Sequence, residues 1–171
     1  MEDLSKFIRD VPDFPKKGII FKDITTLLKD EKAFKSAVDI FVKKYKESGI
    51  EKVVGVESRG FIFGSAIAYK LGVGFVPARK PGKLPAETLK EEYALEYGTD
   101  AVEIHKDAIK KGEKVLVIDD LLATGGTLSA TCRLVEKLGG KIVAVACLIE
   151  LTFLNGIEKL KGYDFYSVIK Y

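Results

Sequence analysis

Residues 115–127, Val-Leu-Val-Ile-Asp-Asp-Leu-Leu-Ala-Thr-Gly-Gly-Thr, constrain this chain more than any other stretch. Val115–Ile118 is an unbroken aliphatic run, which reads as a strand buried on both faces inside a parallel sheet. Asp119 and Asp120 follow at its C-terminal end, the rim where open α/β sheets bind ligands. Ala123, Thr124, Gly125, Gly126 and Thr127 then feed residues 128–138, which have helical periodicity. A Gly-rich turn at a helix N-terminus presents backbone N–H groups and the positive end of the helix dipole, which suits a phosphate. Thr124 and Thr127 add hydroxyl donors. Phosphate therefore falls to the loop, and a polyhydroxylated or metal-coordinated group to Asp119 and Asp120. Neither G-x-x-x-x-G-K-[ST] nor G-x-G-x-x-G is present. A plain strand–turn–helix would leave two adjacent carboxylates in an apolar setting without a use, which is costly.

The same strand–polar turn–helix logic recurs once. Val53–Val56 reads as a buried strand ending in Glu57-Ser58-Arg59-Gly60, with a helix to Leu71 stopped by Gly72. Ser58 is a natural N-cap. Arg59 in a first helical turn opposes the dipole, so an anion held jointly by Arg59 and the turn amides is the reason read for it. Residues 74–78 read as a third strand, followed by Arg79, Lys80 and Lys83 among prolines, a second anion-binding edge. The polar segment from there to about Thr99 is too long for a structureless loop in a compact domain and reads as a lid. Glu87, Glu91 and Glu92 are taken as solvated loop acids. Ala101–Ile104 alternates like a returning hairpin strand, and a short helix is expected before Gly112. His105 reads as a surface or loop-packing residue.

Elsewhere, Ile19–Ile24 suits a short strand after a Pro-rich turn. Asp30 caps a helix over 31–48, with Phe34, Ala37, Phe41 and Tyr45 on its buried face. Residues 142–149 give another buried strand, Asn155-Gly156 opens a short terminal helix, and 166–169 form an edge strand. At 171 residues with 47% hydrophobic and 31% charged content, one domain of 1–171 is expected. A net charge of +3 is too slight to argue for nucleic acid and fits an anionic small substrate. Cys132 and Cys147 lie in apolar runs without metal spacing and read as core thiols. With no apolar signal region or membrane-length run, a cytoplasmic protein is expected. Strands alternating with helices give a parallel α/β sheet flanked by helices.

The stretch from Val115 to Thr127 resembles the phosphoribosyl-pyrophosphate (PRPP) motif of type I phosphoribosyltransferases, and its Leu-Leu-Ala-Thr-Gly-Gly-Thr variant that of their adenine-specific members. The resemblance extends over nearly the whole chain and implies that family's fold, with residues 1–30 as a small N-terminal hood and 79–104 as a flexible catalytic loop and hairpin. It implies transfer of phosphoribose from PRPP to adenine, giving AMP and pyrophosphate. Asp119 and Asp120 would then hold the ribose hydroxyls, and residues 123–127 the 5-phosphate. Ser58 and Arg59 would form the pyrophosphate loop, with a non-proline cis peptide before Ser58. Arg79, Lys80 and Lys83 would add PRPP contacts. Phe21 would stack on adenine while Ile20 and Lys22 read its edge; some members carry Arg at the position of Lys22, and the two cations are not equivalent. Glu96 and Tyr97 match a loop Glu-Tyr pair, which makes them the catalytic candidates. Mg²⁺ would be held mainly through PRPP rather than by a protein site, and the protein would be a homodimer with its Arg79–Lys83 edge near the partner's site. A 6-oxopurine enzyme would carry an acid at the position of Ala123, a xanthine enzyme would depart from Ala-Thr-Gly-Gly-Thr, and a PRPP-sensing regulator would need a DNA-binding region that this sequence lacks.

Overall fold

The computed structural model describes residues 3–95 and 98–171. These fall into two compact units, Met1–Phe41 and Val42–Tyr171. In the first, β1 (Arg9–Pro12) pairs antiparallel with β2 (Ile20–Asp23), registering Asp10 against Lys22 and Arg9 against Asp23. Both register pairs are ion pairs, at 2.7 and 2.5 Å, so opposite charges directly across the ladder fix a hairpin that has little apolar surface. Helix α1 (Thr25–Leu28) follows. Helix α2 (Glu31–Tyr45) then runs across the unit boundary, and the Asp30 carboxylate accepts from the Ala33 N–H at 2.9 Å, the cap the sequence implies. Ala37, Phe41 and Tyr45 are buried, as the apolar stripe requires.

The second unit is a five-stranded parallel sheet in the order β4 (Gly74–Ala78), β3 (Lys52–Val56), β7 (Lys114–Leu122), β8 (Lys141–Glu150), β9 (Phe165–Lys170). Val53, Val54, Leu116, Val117, Ile118 and residues 144–149 are buried on both faces, which is why their sequences are aliphatic without alternation. Helix α3 (Gly60–Leu71) connects β3 to β4, and α4 (Gly126–Lys137) connects β7 to β8. The chain thus leaves β3 in one direction and β7 in the other. The topological switch point lies between these two neighbours, where open sheets bind ligands. The β3–β7 ladder ends at Gly55 and Ile118, whereas β7 continues beside β8 to Leu122. Asp119 and Asp120 therefore sit past the end of one neighbouring strand, in the crevice that this mismatch opens.

The expected loop after β4 is ordered pairing instead. Strands β5 (Thr88–Ala94) and β6 (Thr99–His105) form an antiparallel hairpin in full register from Thr88–His105 to Ala94–Thr99. Arg79 joins it through paired backbone bonds with Glu103. The short helix expected before Gly112 is a turn, in which the Lys110 N–H donates to Glu113 Oε2 at 2.7 Å. His105 accepts from the Ala86 N–H at 3.3 Å and so packs a loop. Cys132 and Cys147 are free and buried, and burial pushes the Cys132 thiol up to about 12. Among the described residues, no helix is long and apolar enough to cross a membrane.

Candidate active site

The PRPP-like stretch encloses a cavity of about 80 Å³, lined by Asp119 and residues 121–128. That is several times the space one water needs and suits a small polyatomic anion. Gly125 is the residue before α4 and has φ of +79°, a conformation reached at little cost only by glycine. No side chain caps this helix end. Its first N–H groups are therefore left for a ligand, and the dipole favours an anion there. The loop is braced from behind by Gly156. A Cβ on Gly125 would collide with the Gly156 carbonyl oxygen, and one on Gly156 with the Ala123 carbonyl. Nothing in the sequence of the motif itself points to Gly156; its pairing with Gly125 is a long-range backbone contact.

Asp119 faces this cavity, and its Oδ1 accepts from the Asp120 N–H at 2.8 Å. Burial, and then repulsion from Asp120, raise its pKa well above the usual carboxylate range. Asp120 is buried on the other side of the strand. Arg59 Nε lies 2.9 Å from Asp120 Oδ2, an ion pair without the alignment of a hydrogen bond. Burial raises the Asp120 pKa too, against the pull of Arg59. A pair so disposed gains from any ligand that donates hydrogen bonds to its ionised form, as vicinal hydroxyls do. Arg59 thereby has a use besides an anion: it is the residue before α3, and its charge is directed at the carboxylate pair.

The remaining predicted contacts divide. The Glu57–Ser58 peptide is cis, as the resemblance implies. Ser58 is not the side-chain cap expected of it, because α3 begins after Arg59 without a side-chain cap bond. Arg79 is engaged by Glu57, at 3.2 and 3.1 Å, and the same carboxylate accepts the Lys80 N–H at 2.9 Å. The Arg79 hydrogen bond holds the Glu57 carboxyl below its ordinary range. Arg79 thus shapes the turn that carries Lys80, while Lys83 is exposed and its carbonyl accepts from Arg79 at 3.3 Å. Phe63 is wholly buried core, and Phe61 packs edge-on against Phe75 with ring centroids 5.7 Å apart. Ile20, Phe21 and Lys22 belong to the first unit, where Phe21 meets Phe14 edge-on at 5.2 Å and Lys22 pairs with Asp10. Glu96 and Tyr97 lie outside the described residues.

Besides Gly156, Leu121 and the pairing of Glu91 escaped the sequence. Leu121, half-exposed two residues beyond Asp119, gives the cavity an apolar wall. Glu91 is not a solvated acid: it binds Arg133 at 2.7 Å and Lys137 at 2.5 Å on α4. Lys137 and Arg133 hold its carboxyl below the ordinary range.

A parallel sheet with a Gly-rich helix start and a carboxylate pair at its switch point suits a sugar-phosphate-binding class, and the relatives narrow it. Residues 24–168 match the phosphoribosyl transferase domain. The chain is 59% identical over 169 residues to the adenine phosphoribosyltransferase of Christiangramia forsetii, covering 99% of each. It superposes on the adenine phosphoribosyltransferase structure from Thermoanaerobacter pseudethanolicus with a TM-score of 0.96 at 56% identity, covering 98% of each chain. The Saccharomyces cerevisiae enzyme, solved with an imino-altritol bisphosphate and adenine, gives 0.92 at 40% identity, covering 96% of each. The chain belongs to the phosphoribosyltransferase family, and within it to the adenine phosphoribosyltransferases.

Proposed function

We propose that the protein transfers the phosphoribosyl group of PRPP to adenine, forming AMP and releasing pyrophosphate. The observation that carries this reading is the cavity of about 80 Å³ at the start of α4, with Asp119 in its wall. The 5-phosphate accepts from the amides of residues 123–127, with Thr124 as a hydroxyl donor, the Thr127 hydroxyl being taken up by the Tyr93 phenol oxygen at 3.0 Å. The ribose 2- and 3-hydroxyls donate to Asp119 and Asp120, which satisfies carboxylates whose proton affinity burial has raised. Arg59 then stabilises the ionised pair, and Ser58, Arg59, Arg79, Lys80 and Lys83 form the surroundings of the pyrophosphate. Phe21, with Ile20 and Lys22, recognises the base.

Bond breaking at the anomeric carbon runs ahead of bond making, so the protein's work is positioning and fixed charge. Among the described residues, no three His, Cys, Asp or Glu side chains form a metal cage. Mg²⁺ would be held mainly through PRPP, with Asp119 and Asp120 the carboxylates of the site. When bound, it supplies positive charge to the leaving group. Glu96 takes the proton that adenine loses, because Ala123 can neither accept nor donate one, and Tyr97 helps to close the site. A homodimer in the cytoplasm is part of the same proposal.

The test is pyrophosphate release from PRPP with adenine, hypoxanthine, guanine and xanthine compared side by side. Adenine should exceed each of the others in kcat/KM by at least about 10²-fold, since a site built for one pattern of donors and acceptors rejects bases that leave buried polar groups unpaired. Equal or greater turnover of a 6-oxopurine would contradict the assignment.

A further inference from the structure

A polar cluster that neither the phosphate loop nor the carboxylate pair explains is built on Tyr93. This tyrosine of β5 is buried, with 8% of its surface exposed. Its ring rests on the first residue of α4; a Cβ on Gly126 would stand 2.7 Å from the ring Cδ2. The phenol oxygen accepts from Thr127 Oγ1 and from Lys80 Nζ, each at 3.0 Å, and donates to Asp100 Oδ2 at 3.1 Å. Lys80 also forms an ion pair with Asp100. One donor and two lone pairs are thereby all used, so the hydroxyl has no freedom to turn elsewhere. Three separate segments meet at this oxygen: the phosphate loop through Thr127, the basic turn after β4 through Lys80, and the hairpin through Tyr93 and Asp100.

A lysine ammonium on four methylenes has many rotamers, and a free one would lose that freedom on each binding event. Here the ammonium is ordered within two hydrogen-bond lengths of Thr127. Ordering a binding group beforehand lowers the cost of association. The phenol does this without adding a negative charge. Asp100 holds the cation too, but as a carboxylate it competes with an arriving anion.

We propose that Tyr93 is a positioning residue for the anionic substrate: its phenol oxygen sets the Lys80 ammonium against the phosphate loop, so that separate phosphoryl groups of one ligand are met together. This rests on the reading of the site as a PRPP site. Tyr93 touches no substrate on this account and acts through Lys80.

Steady-state kinetics on the full-length protein with PRPP and adenine test it, using Tyr93→Phe, Lys80→Met and the double variant. Tyr93→Phe keeps the ring on Gly126 and removes only the oxygen. It should raise KM for PRPP roughly 10–150-fold, the size of one hydrogen bond to a charged group, here that of the phenol to Lys80. KM for adenine and the melting temperature should stay near the parent values. In the Lys80→Met background the same change should add less than about twofold, because residues acting through one another are not additive. An unaltered KM for PRPP in Tyr93→Phe, or full additivity with Lys80→Met, overturns the proposal. Equal rises in both KM values with a lowered melting temperature also overturn it, since that is what a merely structural tyrosine would give. If Lys80→Met itself leaves KM for PRPP unchanged, the basic turn is not part of the substrate site, and the reading of that turn falls together with the inference.

Discussion

Gly125→Val should weaken AMP and PRPP roughly 10–100-fold in calorimetric titrations. The position has φ of +79°, a region a β-branched residue enters only under strain. Strain of this kind costs about 1–3 kcal/mol, and each 1.4 kcal/mol is tenfold in affinity. The valine side chain would also press on the Gly156 carbonyl, so the loop would have to leave the shape that aims its amides at the cavity. Because such a change also burdens folding, Gly156→Ala is the sharper partner experiment. Gly156 lies outside the phosphate motif and does not line the cavity, yet its added methyl would meet the Ala123 carbonyl. Overpacking against backbone costs about 1–3 kcal/mol, so AMP should weaken by about tenfold there too. Unaltered AMP affinity in both variants, with both proteins folded, would remove the phosphate from this loop.

Glu96→Gln should lower kcat by roughly 10²–10⁴-fold with little change in PRPP binding, the range for one acid–base group. A carboxylate enclosed with substrate loses water and its pKa rises towards the useful range, which the amide cannot imitate. The control must be chosen with care. Glu91 is anchored to Arg133 and Lys137, so Glu91→Gln would loosen the hairpin from α4 and lower activity indirectly. Glu92, whose side chain is 64% exposed and paired with Lys90 at 3.0 Å, is the better neutral substitution, since its contact with Arg133 runs through the backbone carbonyl and survives it. Near-parent kcat in Glu96→Gln, in an assay limited by chemistry, would return the proton to water, the backbone or another side chain.

The parts of this fold that were legible in the sequence are those whose neighbours are all apolar. Strands β3, β7 and β8 are aliphatic runs because both faces are covered, and α2 shows its stripe and its Asp30 cap. Asp119, Asp120 and the Gly125-Gly126 turn were readable because their chemistry is local: a strand end, a turn and a helix start in thirteen consecutive residues. Strand β5 was not, although Leu89, Glu91 and Tyr93 alternate, because the face it turns to α4 is joined there by charge pairing as well as by apolar contact. Gly156 and Tyr93 were missed for a common reason. Their roles exist only once distant segments meet, one behind the phosphate loop and one between that loop and Lys80. Ser58 misled because a good capping residue next to a helix start need not be its cap, and here the helix begins one residue later.

The central claim, that the start of α4 is the cradle for a nucleotide 5-phosphate, is tested most directly by amide NMR of the protein titrated with AMP and, separately, with adenosine. The N–H groups of Thr124, Gly125, Gly126 and Thr127 should move strongly with AMP, as N–H groups that bind an anion do. With adenosine, which lacks the phosphate, they should hardly move even when the base site is filled. Saturable AMP binding that leaves these four amides unshifted would place the phosphate elsewhere and contradict the account.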